Sequence, residues 1–343
     1  MSAVIGWDIG GAHLKAARAE NGRIVAATQI PSPLRLGIAS VSRAFAQAKA
    51  TLGPADRHAV TMTGELADTF TSRRDGVDAL VAAAMAELDG APVTLYAGRA
   101  GFIAPEQAAR HGEDIASANW HASAALVAQR QRTALFADMG STTTDLVPTR
   151  NGLIAARGYS DAERLAAGEL VYTGLVRSAV MSIAGHAPVG GLLSPLINEH
   201  FATMADVHRI LGQLPDGVDQ MTTADGRDKS VVASRARLAR MVGRDATDDD
   251  AGWLDQLARW FAEQQMRIIM DAAMLVLSHQ NLPGDEPVVG AGIGTSVLEE
   301  ITRRLGRPYV PFETLLDAAP NARQWASHCA PAAALALLAS SSR

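Results

Sequence analysis

The sequence predicts an α/β protein with two similar lobes, and three observations support this fold class. A strand that ends in an Asp-x-Gly turn and continues as a meander of strands occurs at Asp8 and again at Asp138. The rest of the chain alternates between strand-like and helical patterns, with more helix in the second half. A length of 343 residues is also long for a single core, so two lobes are expected.

The opening residues predict an antiparallel meander. Apolar and polar side chains alternate over residues 4–7, 14–19 and 24–30, as is typical of strands. Asn21-Gly22, between the second and third of these segments, is a typical hairpin turn. Helical spacing of apolar residues follows at 38–48, 77–88 and 115–131, and strands are predicted at 58–62 and 93–97.

The second lobe begins with a new strand at 133–137, and Asn151-Gly152 marks another hairpin. Helices are then predicted at residues 166–181, 194–211, 230–242 and 253–277. A glycine turn at 288–295 leads from a strand into a helix at 296–305. We place the first lobe at residues 1–130 plus 325–343, with a buried helix at 329–339, and the second lobe at 131–324.

Composition excludes several classes of function. The 31 Lys and Arg residues against 36 Asp and Glu give a net charge of −5, so the chain has no overall attraction for nucleic acid or an anionic membrane. Cys329 is the only cysteine, which excludes an intramolecular disulfide and paired-cysteine zinc sites. The chain starts without the pattern of a signal peptide, and we expect a cytoplasmic protein.

Three glycine turns are candidate binding sites for phosphate groups. A turn that brings backbone N–H groups to an anion needs residues without a Cβ, because a side chain would block the approach. No P-loop pattern is present, so another phosphate-binding fold is indicated. The residues of these turns that we expect to contact phosphate are Gly10, Gly11, Gly140, Ser141, Thr142, Thr143, Gly290 and Gly292.

Charged residues flank the turns. Asp8 and Asp138 stand at strand ends beside the first two turns and, with Asp145, could hold Mg²⁺ through its waters. Lys15 adds a fixed positive charge on the strand that follows the first turn. His13 lies between that turn and Lys15, and we interpret it as a strand residue in a hairpin.

The three turns occur in an order that resembles a known superfamily. The series Asp8-x-Gly with Lys15, Asp138-x-Gly with Asp145, and Val289-Gly-Ala-Gly is similar to the phosphate-1, phosphate-2 and adenosine motifs of actin, Hsp70 and sugar kinases. The resemblance implies a two-lobed, ribonuclease H-like fold with a ligand cleft between the lobes.

Longer stretches resemble a narrower family. "MTGELAD" at 62–68, "ASANWHASA" at 116–124, "ADMGSTTTDLVP" at 137–148, "FATMADVHRILG" at 201–212 and "SRARLARMVGRD" at 234–245 are similar to hydantoinase/oxoprolinase-related proteins of tetrahydromethanopterin-linked one-carbon transfer. That group includes the synthases of methanofuran and methylofuran biosynthesis.

The resemblance implies a transferase that joins an aminomethyl-furanylmethyl diphosphate to the phenol of tyramine or γ-glutamyltyramine. Diphosphate leaves and an aryl ether forms, with Mg²⁺ and Lys15 stabilising the negative charge on the leaving group. ATP binding is compatible with the motifs but is not required. The expected partners are therefore small molecules, with no nucleic acid and no membrane, and a homo-oligomer is left open.

Two acids of the "MTGELAD" stretch are candidates for removing the phenol proton. Glu65 and Asp68 are three residues apart and could share one side of a helix start. A second interpretation is an ordinary helix N-terminus with Thr63 as its cap. A third is that either acid binds the aminomethyl group.

Substrate-binding candidates come from an amide, an aromatic ring and a basic helix. Asn119 and Trp120 could contact an aromatic substrate, although a core tryptophan fits the pattern equally well. Arg237 and Arg240, with Arg244, fall on one helical face and could bind an anion. The alternative is a solvated face balanced by Asp245 and the acids at 248–250.

Two other functions fit the generic superfamily motifs. One is an ATP-dependent enzyme, either a small-molecule kinase or a hydantoinase-like hydrolase, with Asp138 or Asp145 as its catalytic carboxylate. The other is a non-catalytic nucleotide-binding protein.

Overall fold

The computed structural model describes residues 2–88, 90–247, 251–280 and 282–341. Its strands are β1 Ala3–Ile9, β2 His13–Glu20, β3 Arg23–Pro31, β4 Arg57–Met62, β5 Val93–Tyr96, β6 Phe102–Ile103, β7 Ala134–Met139, β8 Thr144–Arg150, β9 Leu153–Ile154, β10 Leu170–Val171, β11 His186–Val189, β12 Leu192–Pro195, β13 Val288–Gly292 and β14 Tyr309–Pro311. Its helices are α1 Ala39–Leu52, α2 Arg73–Glu87, α3 Gly112–Ile115, α4 Asn119–Arg130, α5 Asp161–Ala167, α6 Met204–Ile210, α7 Val231–Arg240, α8 Ala251–Gln280, α9 Thr295–Arg304, α10 Arg323–His328 and α11 Ala330–Ser341.

The chain divides into two compact units. The first comprises residues 1–136, 147–163 and 310–343, and the second comprises 137–146 and 164–309. Residues 131–136, 147–163 and 310–324 are predicted to belong to the second lobe, whereas in the structure they pack with the first unit.

The first unit is built on a six-stranded sheet with the order β3-β2-β1-β4-β5-β6. The first three strands are antiparallel, as predicted, and β1, β4 and β5 are parallel. Asn21 and Gly22 both have positive φ, 51° and 79°, which is the backbone of the tight hairpin that an Asn-Gly pair favours. Asn151 and Gly152 repeat this geometry with φ of 55° and 85°.

Helices cover both faces of this sheet. Ile5, Trp7 and Ile9 point to a core shared with α1 and α2, while Val4 packs with residues of α4 and α11 on the other face. At Gly6 the helix α11 lies so close that a Cβ would be 2.1 Å from the Ala332 carbonyl oxygen. The predicted buried helix at 329–339 is therefore confirmed, and it rests directly on the first strand.

The second sheet has the order β10-β8-β7-β13-β14, with β9 paired to β8. In the second unit a separate apolar cluster joins α6, α7, α8 and the β11–β12 ribbon, with Phe261, Leu254 and Leu238 fully buried. No described helix has the length and apolar character needed to cross a membrane.

Three predicted helices differ from the structure. Residues 166–181 contain the end of α5, the strand β10, irregular chain and the start of a 3-10 turn at Val180, and 194–211 contain the end of β12 and the short α6. The helix predicted at 115–131 is interrupted at Ser117, whose φ of 52° is incompatible with a right-handed helix. Apolar periodicity does not reveal these breaks, because the backbone follows contacts with distant segments instead.

Candidate functional site

The first glycine turn closes at the end of β1. Gly10 donates its N–H to the His13 carbonyl oxygen at 2.9 Å, and a Cβ on Gly10 would lie 2.9 Å from the same oxygen. The N–H groups of Gly11 and Ala12 have no acceptor among the residues that the structure describes. Consecutive N–H groups of this kind form a concave site that suits an anion. His13 is buried and begins β2, in agreement with the strand interpretation.

Asp8 and Lys15 are direct neighbours across β1 and β2. Asp8 is 3% exposed, and the strand register places it opposite Lys15. Opposed residues of an antiparallel pair lie on the same face, so the side chains of Asp8 and Lys15 share one face of the sheet. On α10, His328 is buried and its pKa is lowered to about 4, first by desolvation and then by the charge of Lys15. Lys15 therefore lies opposite an acid in the sheet, and its charge acts on a buried imidazole.

Asn119 binds Asp8. Its Nδ2 lies 3.4 Å and 3.5 Å from the two Asp8 carboxylate oxygens, and its Oδ1 accepts from the Trp120 N–H at 2.7 Å. The structure thus brings two predicted site residues together. Trp120 is 3% exposed and its ring packs edge-on against His121 and Tyr159, which agrees with the core alternative.

The "MTGELAD" segment meets the first turn directly. Thr63 and Gly64 both donate their N–H groups to the Ile9 carbonyl oxygen at 3.0 Å. A Cβ on Gly64 would lie 3.2 Å from that oxygen and 3.3 Å from the Gly10 carbonyl carbon. A glycine therefore suits this close approach, which sets Glu65 beside the turn.

Glu65 is buried and Asp68 is not. Glu65 is 1% exposed and Ser117 Oγ lies 2.7 Å from its Oε1, while burial raises the pKa of the Glu65 carboxyl. Asp68 is exposed. The alternative with Thr63 as a helix cap is wrong, because residues 63–70 form turns and α2 begins at Arg73 with Ser72 as its N-cap.

The second turn repeats the first. Gly140 donates its N–H to the Thr143 carbonyl oxygen at 2.9 Å, and the N–H groups of Ser141 and Thr142 lack an acceptor within the described part of the chain. Gly174 lies behind this turn, since a Cβ there would be 2.6 Å from the Ser141 carbonyl carbon. Leu175 donates its N–H to the Gly140 carbonyl oxygen at 3.0 Å. The turn is therefore fixed with its N–H groups available.

Two further groups of the second turn fit an anion. The Ser141 hydroxyl is buried and has no hydrogen-bond partner among the described residues. Arg177 is exposed, donates its backbone N–H to the Ser141 carbonyl oxygen at 2.8 Å, and donates from Nη1 to Thr142 Oγ1 at 3.2 Å. Arg177 is not among the predicted site residues, because its segment has the apolar pattern of a helix and not of a support for the turn.

Asp138 and Asp145 have different surroundings. Asp138 is buried at the end of β7, and a Cβ on Gly292 would lie 2.4 Å from its Oδ1. Asp145 pairs at 2.8 Å with Arg164, a buried guanidinium that also donates to the Glu169 carbonyl oxygen.

The third turn is filled by protein atoms. A Cβ on Gly290 would lie 2.4 Å from the Tyr309 ring, and Gly292 has φ of 86° and packs on Met139. Both glycines therefore have a packing reason within the second unit. Their predicted role in ligand binding stays a prediction.

The arginine helix is not an open anion site. Arg237 is 0% exposed and donates from Nε to Asp206 at 2.8 Å and from Nη1 to Asp225 at 3.0 Å. Carboxylates of the protein, Asp206 and Asp225, already accept from its donors, and a contact of Arg237 with substrate stays a prediction. Arg240 lies 3.6 Å from Asp225, and Arg244 lies beyond the end of α7. The balancing acids at 248–250 lie outside the described residues.

Binding of Mg²⁺ at this site would rely on isolated carboxylates and not on a cluster of protein ligands. Among the described residues no group of three or more His, Cys, Asp or Glu side chains could hold a metal by itself. Mg²⁺ keeps several waters and commonly binds through one or two carboxylates plus phosphate oxygens, so Asp8 and Asp138 fit this role. Asp145 fits poorly, because a cation there would lie beside the Arg164 guanidinium.

The model of the hydantoinase/oxoprolinase family matches residues 56–316. The chain belongs to the hydantoinase/oxoprolinase family. Two curated relatives carry the name (4-{4-[2-(γ-L-glutamylamino)ethyl]phenoxymethyl}furan-2-yl)methanamine synthase. The one from Methanocaldococcus jannaschii is 29% identical over 248 residues, 71% of this chain and 73% of the relative. The one from Methanococcus vannielii is 25% identical over 171 residues, 50% of this chain and 75% of the relative.

A solved structure supports the fold of this hydantoinase/oxoprolinase family protein. The nucleotide-free structure of an acetone carboxylase, described as ATP-dependent, aligns with 97% of this chain and 70% of its own, with a TM-score of 0.52 and 12% identity. Together with the sheet orders, this confirms the predicted actin/Hsp70/sugar-kinase type of fold. The synthase names of the relatives support an enzyme.

Proposed function

We propose that this protein is a synthase of methanofuran or methylofuran biosynthesis. It would join an aminomethyl-furanylmethyl diphosphate to the phenol of γ-glutamyltyramine or tyramine, as an alkyl or aryl transferase. The name of both curated relatives describes a product with an aryl ether between a furanylmethyl group and a glutamylated phenol. This product is the reason for preferring the γ-glutamyl form of the acceptor.

The observation that carries the proposal is the second turn. Its N–H groups at Ser141 and Thr142 lack acceptors within the described residues, the Ser141 hydroxyl is buried and unpartnered, and Arg177 stands beside it. Backbone donors, a hydroxyl and a guanidinium together suit phosphate oxygens. We propose that this turn binds a phosphoryl group of the substrate.

The reaction balances without a further co-reactant. The bond from the furanylmethyl carbon to the diphosphate oxygen breaks, and the electron pair leaves with diphosphate. The phenol oxygen forms the new bond to that carbon and loses its proton to a base. The electron-rich furan spreads the positive charge that develops on carbon, so stabilisation of the leaving group is the main catalytic demand.

The first turn would supply charge to this reaction. Asp8 would hold waters of an Mg²⁺ ion that neutralises the phosphate oxygens, and Lys15 would add a fixed positive charge. Asn119 orients the Asp8 carboxylate, which limits the number of geometries that this acid can adopt. Asp138 would play the corresponding part at the second turn.

A direct assay tests the proposal. Purified protein is incubated with Mg²⁺, the aminomethyl-furanylmethyl diphosphate and γ-glutamyltyramine, and released diphosphate and the ether product are measured by enzyme-coupled assay and mass spectrometry. Equal amounts of diphosphate and ether are expected, with faster turnover for γ-glutamyltyramine than for tyramine. Diphosphate release without ether, or no release, would reject the proposal.

The second candidate is an ATP-dependent enzyme, which the superfamily turns also fit. Adding ATP in place of the furan diphosphate separates the two. Formation of ADP that depends on tyramine or on a hydantoin, without any ether from the furan substrate, would replace the synthase with a kinase or a hydrolase.

A further inference from the structure

Ser117 contacts two acids at once. Its Oγ lies 2.7 Å from Glu65 Oε1 and 3.2 Å from Asp161 Oδ2. A serine hydroxyl has one hydrogen to donate and two lone pairs that accept. If both acids were ionised, only one of the two contacts could be a hydrogen bond. Both contacts are hydrogen bonds only if one acid carries a proton that it donates to Ser117.

The surroundings decide which acid carries that proton. Asp161 forms an ion pair with Arg73, so its negative charge has a cation beside it, and its side chain is 18% exposed. Glu65 is 1% exposed, and its Oε2 is buried without a hydrogen-bond partner among the described residues. The charged groups that act on Glu65 are Arg73 of α2 and Asp161 at the start of α5. Arg73 is already paired with Asp161, so an ionised Glu65 would lack a cation of its own.

The backbone around this cluster is constrained. Ser117 has φ of 52°, a conformation that costs energy in a residue with a Cβ and persists where neighbouring contacts impose it. Gly76 in α2 packs against Glu65 so closely that a Cβ there would lie 2.4 Å from the Glu65 carbonyl oxygen. The two segments that hold Ser117 and Glu65 are therefore fixed in the arrangement that joins their side chains.

We propose that Glu65 is held as a neutral acid in the resting protein and that Ser117 carries its proton to Asp161. In this exchange the Oε1–H bond of Glu65 breaks as an Oγ–H bond forms on Ser117, and the original Ser117 proton passes to Asp161 Oδ2. Asp161, the more exposed acid, returns the proton to water. Ser117 and Asp161 are thus positioning residues for Glu65.

The inference deepens the proposed function and in this respect rests on it. A neutral Glu65 donates a hydrogen bond, and it accepts the phenol proton only after its own proton has left through Ser117. The role of Glu65 as a base thereby depends on two residues that the sequence analysis did not select.

Carbon-13 NMR of the full chain with labelled Glu and Asp carboxyl groups tests the inference without substrate. A carboxyl resonance that is absent in Glu65→Gln and keeps the shift of a protonated acid at pH 7 is expected. Glu65→Gln retains a donor and an acceptor of similar shape, so its unfolding midpoint should stay near wild type. Asp68→Asn, which changes an exposed acid of the same segment, should leave the Glu65 resonance unchanged.

A double-mutant cycle tests the bridge itself. Asp161→Asn removes a negative charge and also the carboxylate that accepts from Ser117 while Ser117 accepts from Glu65, so the midpoint of the Glu65 titration should fall by about one pH unit, a tenfold change in proton affinity. In a Ser117→Ala background the same substitution should shift the midpoint by less than half as much. Equal shifts in both backgrounds, or an ionised Glu65 at pH 7 in the wild type, would overturn the inference. If Glu65 titrates as expected but no ether forms, the proposed function fails and the inference stands.

Discussion

The two Asp-x-Gly turns use the same backbone and obtain their charge differently. In each, the glycine N–H bonds to the carbonyl three residues later at 2.9 Å, two further N–H groups lack acceptors among the described residues, and a glycine from a distant segment packs behind the turn. Those supporting glycines are Gly64 for the first turn and Gly174 for the second.

The differences lie in the side chains. Lys15 follows Asp8 by the same spacing at which Asp145 follows Asp138. The first turn therefore has a cation on its own hairpin, whereas the second has an acid that Arg164 neutralises. In place of the lysine, the second turn has hydroxyl side chains and Arg177 on the segment that supports it. The two turns therefore share one backbone geometry, but the cation near the first is Lys15 on a strand and the cation near the second is the exposed Arg177.

The largest expected effect is on the pH dependence of stability and concerns His328, the buried histidine on which the charge of Lys15 acts. The pKa of His328 is lowered from 6.5 to about 4 in the folded protein, so the unfolded chain binds the proton more strongly between these values. Stability is therefore lost as the pH falls from 6.5 to about 4, by about 3 kcal/mol for this residue. Urea unfolding across this range should show a smaller loss in His328→Gln than in the wild type.

His186→Gln is the matched control for that measurement, because His186 is exposed. Its unfolding curve should follow the wild type at every pH. His58 adds a loss in the same range, since its pKa is also lowered to about 4 and Trp7 Nε1 donates to its Nδ1. An unchanged acid dependence in His328→Gln would show that burial and the charge of Lys15 do not lower the pKa of His328 in the folded protein.

The next effect concerns the cation of the first turn. Lys15→Ala should lower kcat/KM for the furan diphosphate by about 100-fold, because it removes charge stabilisation of the leaving group. Lys49→Ala, which removes a lysine paired with Glu87, is the control and should keep wild-type kinetics. A wild-type rate in a folded Lys15→Ala protein would show that the lysine of the first turn does not take part in the reaction. The two turns would then not have equivalent roles.

Arg177 tests the corresponding cation of the second turn. Arg177→Ala should raise KM for the diphosphate substrate by about tenfold, with a smaller increase in Arg177→Lys, since lysine keeps the charge but loses the guanidinium geometry. Isothermal titration with inorganic diphosphate and Mg²⁺ gives the same comparison without turnover. Arg303→Ala, another exposed arginine of this unit, should bind diphosphate like the wild type.

The smallest expected effect concerns the hydroxyl group at equivalent positions of the two turns, which is present at Ser141 and absent at Gly11. Ser141→Ala removes a buried hydroxyl without a described partner, so the free energy of unfolding should change by less than about 0.5 kcal/mol while diphosphate affinity falls about fivefold. Gly11→Ser adds a hydroxyl at the matching position of the first turn, where a Cβ meets no atom within 4 Å. A gain in affinity there would indicate that both turns bind phosphate alike.

Local signals in the sequence were sufficient to predict the hairpins and the pairing of the first two strands. Each Asn-Gly pair forms a hairpin with positive φ, since few other residues adopt that backbone at low cost. The pairing of Asp8 with Lys15 likewise follows from a short turn between adjacent strands. Such features depend on neighbours within a few residues, and the sequence displays them directly.

Other features depend on partners far along the chain. The apolar segment 170–178 satisfies a helical pattern, yet its backbone supports the second turn through Gly174 and Leu175. Arg237 lies on a basic helical face, but its partner Asp206 belongs to another helix. Ser117 gave a signal only as part of the "ASANW" stretch, and nothing in the sequence links Arg73 to Asp161.

The contact between Gly6 and α11 has a consequence for synthesis of the chain. Strand β1 is covered on one face by helix α11, which lies some three hundred residues later in the chain. Before that helix is made, an apolar strand face has no permanent cover, and closing so long a loop is entropically slow. Completion of the first unit should therefore wait until α11 has been synthesised, and protection of the partly made chain would favour correct folding.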